Sequence, residues 1–123
     1  MANIPASKLL PAGRIAIGGL TWASPDLAGK LFMMKTKDNH EAIALGRLFG
    51  VRDVALGVGA LASSGDGAKL WWQLGLVCDA ADAAAGVLGF KAGGSKLGSV
   101  LLTGAAISGV VLGVTAMKEA AAA

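Results

Sequence analysis

Residues 97–117 read LGSVLLTGAAISGVVLGVTAM, an apolar run with no charge between Lys96 and Lys118. A bilayer crossing needs about 20 consecutive apolar residues, so this stretch is long enough by itself. Working outward, three further apolar stretches occur at about 70–90, 41–62 and 9–23. Each of these is interrupted by charge: Asp79 and Asp82 in the third, Arg47, Arg52 and Asp53 in the second, Arg14 in the first. A charge at the bilayer centre costs about 2.5–3.5 kcal/mol on insertion scales and persists when paired, hydrated or functional. Here the signs balance, three arginines against three aspartates.

Composition agrees with a membrane reading. The chain is 54% hydrophobic and only 15% charged, has a mean hydropathy of +0.64 and carries 19 glycines. Soluble domains carry about 25% charged residues, and glycine is commoner in membrane helices than in soluble ones. The chain is short enough to be read as one domain over 1–123. The net charge of +3 is scattered, with Lys35 and Lys37 the nearest approach to a cluster. That is too thin for a nucleic-acid footprint and suits a solvated loop at the interface.

The expected fold is all-α, a bundle of four transmembrane helices with short loops and a buried Arg/Asp network. Ser63-Ser64-Gly65-Asp66-Gly67 and Gly93-Gly94-Ser95 mark tight loops. Pro25 ends the first span, Asp26 is positioned to cap a short stretch, and Leu27 to Met34 has the character of an interfacial segment. Trp22, Trp71 and Trp72 fall at span ends, where indole rings favour the interface. An alternative for the first stretch is a signal peptide with Thr21-Trp22-Ala23 as its cleavage site, against which Arg14 interrupts the apolar core. Lysines of the 30–37 and 91–96 loops outnumber those on the terminal side, which favours a cytoplasmic position for those loops.

At about 100° per residue, Ala42, Gly46, Gly50, Asp53, Gly57 and Ala60 share one face of the second span. Gly75, Asp79, Asp82, Gly86 and Gly89 share a face of the third, and Ala105, Ser108, Gly109, Gly113 and Ala116 a face of the fourth. Small residues allow close helix approach, and Gly46-x-x-x-Gly50 and Gly109-x-x-x-Gly113 have the appropriate spacing. The aspartates therefore belong on packing faces. Matching depth across antiparallel helices predicts three pairs: Arg47 with Asp82, Arg52 with Asp79, and Arg14 with Asp53. Arg52 points away from the small-residue face of its own helix, which weakens the second pair.

Arg47-Leu48-Phe49-Gly50-Val51-Arg52-Asp53, then Ala55-Leu56-Gly57, then Asp79-Ala80-Ala81-Asp82, resembles a family of small actinobacterial membrane proteins. Arg14 to Pro25, with Gly18, Gly19 and Pro25, is similar to that family's first helix and its end. The resemblance covers most of the chain to about Phe90 and implies four helices. That family is functionally uncharacterised, so the likeness implies no activity.

Catalytic chemistry finds little footing. Asp79 and Asp82 match the first two aspartates of metal-dependent phospho-alcohol transferases in spacing, but the following glycine, the downstream arginine and the second aspartate pair are missing. Two carboxylates alone make a poor magnesium site. Gly57-Val58-Gly59 lies in an apolar helical run and not between a strand and a helix, so it is no dinucleotide loop. His40 and Cys78 are the only residues of their kinds, which leaves no zinc-ligand spacing and no internal disulfide. No catalytic residue, metal or cofactor is expected. The expected role is a non-enzymatic, multi-pass protein of the cell membrane, an accessory or scaffolding subunit. It would contact membrane lipids and either a larger membrane complex or further copies of itself. The alternative is a small transporter or lipid-binding protein using the Arg/Asp network as a polar site. A soluble Ala/Gly-rich helical domain is the third reading.

Overall fold

The computed structural model describes residues 4–122, and all regular structure among them is helical. The helices are α1 (Ala6–Ala23), α2 (Pro25–Leu31), α3 (His40–Ala62), α4 (Gly65–Lys91) and α5 (Lys96–Ala122). The four long helices are antiparallel to their neighbours, in the cyclic order α1, α3, α4, α5, with α1 diagonal to α4 and α3 diagonal to α5. The tightest seams are α1 with α3 and α4 with α5. The α1–α5 seam is looser.

Helix ends follow local chemistry. Asn39 caps α3 by accepting from the Ala42 N–H at 3.2 Å, and the Ser95 hydroxyl does the same for α5 from Gly98 at 3.1 Å. α4 stops in a Schellman turn: Gly94 N–H donates to the Gly89 carbonyl and Gly93 N–H to Phe90, with Gly93 at φ 90. α2 ends the same way, but the left-handed position is held by Met33 at φ 54. Asp26 does not cap α2. Pro25 takes the first helical position, Asp26 lies in the first turn, and its carboxylate accepts from the Thr36 hydroxyl at 2.9 Å. α2 and its following loop are thereby tied to the end of the molecule where the α4–α5 turn lies, Ser95 donating to the Met33 carbonyl at 3.0 Å.

α1 begins after Pro5, which has no side-chain oxygen to cap it. The missing acceptor comes from the far end of the chain. Glu119 of α5 accepts from the N–H groups of Ala6 at 3.0 Å and Ser7 at 3.1 Å. Those two N–H groups hold the Glu119 carboxyl below its ordinary range. At the other end of α1, the Arg47 Nε donates to the Trp22 carbonyl at 3.2 Å, a cation satisfying one of the last carbonyls of the helix.

Glycine carries the α1–α3 seam as backbone against backbone. A Cβ on Gly50 would stand 2.6 Å from the Gly18 carbonyl oxygen, and one on Gly57 2.6 Å from that of Pro11. Gly46 is looser, its nearest neighbour being the Thr21 methyl at 3.8 Å. Across the α4–α5 seam, Gly86 meets Thr103, Gly89 meets Ser99, and Gly113 meets Leu76. Ala105 and Ser108 lie outside these contacts and are exposed, whereas Ala106 is buried. A small core of Ala6, Leu10, Ala60, Trp72 and Ala116 closes the end that holds Glu119. Trp72 is thus an interior side chain, which corrects the expectation of an interfacial ring. Trp71 covers Gly59, and Trp22 remains exposed.

α4 and α5 are each long and apolar enough to cross a membrane. They are not core helices of the described fold, since only 11% and 22% of their most apolar stretches are buried. Leu70, Leu74, Val77, Leu88, Val100, Ile107 and Val111 all face outward. An outward apolar surface of this extent fits lipid better than water.

Candidate functional site

The charged residues converge, but not in the pairs that depth alone suggests. Arg14 of α1 reaches across the diagonal to the Asp79 carboxylate of α4, with both side chains largely buried. It passes over Gly75, where a Cβ would collide with the guanidinium, and Asp79 in turn rests against Gly109 of α5. These two glycines, read in the sequence as helix-packing positions, make room for the ion pair.

Arg52 of α3 forms a two-pronged pair with Asp82 of α4, Nη1 to Oδ1 at 3.1 Å and Nη2 to Oδ2 at 2.5 Å. Parallel bonds of this kind fix orientation as well as charge. The guanidinium also lies 4.7 Å over the Phe49 ring. Its direction away from the small-residue face of α3 now has a cause. That face is used up against α1, and Arg52 is left pointing at α4.

Asp53, 8% exposed, is the third carboxylate of the cluster and lies beside the Arg52–Asp82 pair. Its nearest cation is Arg52, 3.8 Å away, beyond hydrogen-bond reach. Arg47 is outside the cluster: exposed and engaged with Trp22. All three expected pairings are therefore replaced. Arg14 chooses Asp79 over Asp53, Arg52 chooses Asp82 over Asp79, and Arg47 has no carboxylate partner among the described residues. Depth failed as a guide because a six-atom arginine side chain spans the diagonal where glycine clears its path.

The cluster floors a cleft of about 380 Å³ beside the loose α1–α5 seam. Arg14, Asp53, Asp79 and Asp82 supply the floor. Leu9, Gly13 and Ile17 of α1 face Leu102, Ala105 and Leu112 of α5, and Phe32 and Phe49 also line it. A volume of this size lies within the range of small-molecule sites, and a few polar groups in an apolar setting is their usual make-up. The sequence shows the charges; it does not show the cleft, which depends on α1 packing more closely on α3 than on α5. Cys78 is half-buried and free. Among the described residues, no three of His, Cys, Asp and Glu are arranged to hold a metal ion.

No family model, curated protein or solved structure matches the chain.

Proposed function

We propose that the chain is a four-span integral protein of the cell membrane, without catalytic activity, that binds a membrane-borne amphiphile in the cleft between α1 and α5. Such a protein belongs to the lipid-binding or small-transporter class. The observation that carries this reading is the position of the charged cluster at the edge of a cavity. Arg14, Asp53, Asp79 and Asp82 all border an apolar-walled space. The outward Leu and Val surface and the resemblance to four-helix actinobacterial membrane proteins support the four spans, with α1 and α3 crossing beside α4 and α5.

The accessory-subunit reading is the competitor, and one experiment separates them. A tagged copy is purified from its native membrane in mild detergent, and the particle is weighed intact by mass spectrometry with its lipids and partners. The expected result is the chain alone, or a homo-oligomer, retaining about one amphiphile per chain. A stoichiometric larger protein partner, with no retained amphiphile, overturns the proposal in favour of an accessory or scaffolding subunit.

A further inference from the structure

We infer that the occupant of the cleft is a membrane-soluble organic cation, an amine or onium centre on an apolar body, with the Asp53 carboxylate as its counter-ion. This rests on the cleft being a binding site and adds the sign and class of the ligand.

In their ionised forms the cluster holds two guanidiniums and three carboxylates. Arg14 is committed to Asp79 and Arg52 to Asp82, so one negative charge remains, and it falls on Asp53. Asp53 is 8% exposed as a residue and 12% exposed over its side chain, borders the cleft, and accepts no hydrogen bond from any described residue. Its one close cation, Arg52 at 3.8 Å, is already bonded to Asp82, and a buried carboxylate compensated only in part is costly. A cation arriving in the cleft supplies what the fold withholds. No lysine lines the cleft, and its one arginine already has a partner, so an anionic head would meet three carboxylates with no free cation to offset them.

The walls then select among cations. A metal ion needs several oxygen donors converging on one point. The three aspartates do not converge in that way, and the Ser108 hydroxyl is already donating to the Gly104 carbonyl at 2.8 Å. An organic cation asks for less: one counter-charge, apolar surface for its substituents, and an aromatic face, which Phe32 provides. The cleft is bounded by Leu, Ile and Phe, and it opens beside the α1–α5 seam, which is packed more loosely than α1–α3 or α4–α5. Entry from the lipid phase follows from that geometry.

Tetraphenylphosphonium and tetraphenylborate test the inference, because they share shape and differ in sign. Binding of each is measured by equilibrium dialysis against the full chain in phosphatidylcholine nanodiscs, with empty nanodiscs subtracted. The expected result is saturable binding of the phosphonium at about one per chain, and none of the borate. Asp53→Asn should weaken the phosphonium at least tenfold, and Asp53→Glu should recover most of that loss. Ala105→Trp, at an exposed position on the rim, should block it by bulk with every charge left in place. Equal binding of both ions, or undiminished phosphonium binding by a monodisperse Asp53→Asn protein, overturns the cationic assignment. If Ala105→Trp still expels a co-purified native amphiphile in that case, the cleft remains a site and only the ligand class is wrong. If Ala105→Trp changes the retention of no amphiphile at all, both proposals fall.

Discussion

Arg14 is the residue on which the interior turns, because among the described residues its side chain is the one that bonds across diagonal helices. Removing it strands Asp79 in a largely apolar setting, and breaking a buried pair from one side costs about 3–5 kcal/mol. Arg14→Met should therefore lose most monodisperse protein on size exclusion in mild detergent. Adding Asp79→Ala, which removes the stranded charge, should restore more than half of the loss. Glu119 makes a separate prediction. Its carboxyl is held below its ordinary value of 4.5 by the Ala6 and Ser7 N–H groups. A depressed acid stabilises the fold above its unfolded pKa and loses that contribution as pH falls through the folded one. The thermal midpoint of the wild type should thus exceed that of Glu119→Gln at pH 7, with the gap shrinking as pH drops below about 4.5. A gap independent of pH would deny the charged cap. At this scale the sequence reveals six charges set within apolar stretches, and five of them, all but Arg47, meet in the interior. It conceals their partners, because partner choice depends on where Gly75 and Gly109 open a path for long side chains, and on Arg47 turning to a carbonyl.

The helices show the same division. Five elements follow from apolar runs, the Ser63–Gly67 and Gly93–Ser95 breaks and Pro25, and the small-residue faces identify what packs. Which helix each face meets is a tertiary matter: the strip of α3 serves α1, which the periodicity of α3 alone does not encode. Gly50 and Gly19 separate this packing from ordinary helix propensity. A side chain at Gly50 runs into the Gly18 carbonyl, whereas nothing lies within 4 Å of a Cβ on Gly19. Gly50→Val should destabilise by more than the about 1–3 kcal/mol usual for overpacking, since backbone and not a movable side chain must give way. Gly19→Ala should be neutral or gain up to about 1 kcal/mol from helix propensity. Thermal unfolding of both variants in one detergent checks the contrast. Trp72 marks a limit of end-of-span reasoning, because the space left by Ala6, Ala60 and Ala116 draws the ring inside.

At the scale of the whole molecule, an outward apolar surface surrounds a cleft bordered by charge, and the proposed membrane setting would accommodate both. α4 and α5 are each long and apolar enough to cross a membrane; the proposed crossing of α1 and α3 rests on their antiparallel packing beside that pair. Site-directed labelling decides the point. In a Cys78→Ala background, single cysteines replace Lys8, Lys37, Ser64 or Ala92, and sealed membrane vesicles are treated with an impermeant maleimide from either side. Four crossings predict that Lys8→Cys and Ser64→Cys react from one side, and Lys37→Cys and Ala92→Cys only from the other. If Lys37→Cys instead reacts together with Lys8→Cys and Ser64→Cys, only the α4–α5 hairpin crosses. Reaction of all four positions from one side would remove the membrane from the account, and with it the origin proposed for the ligand.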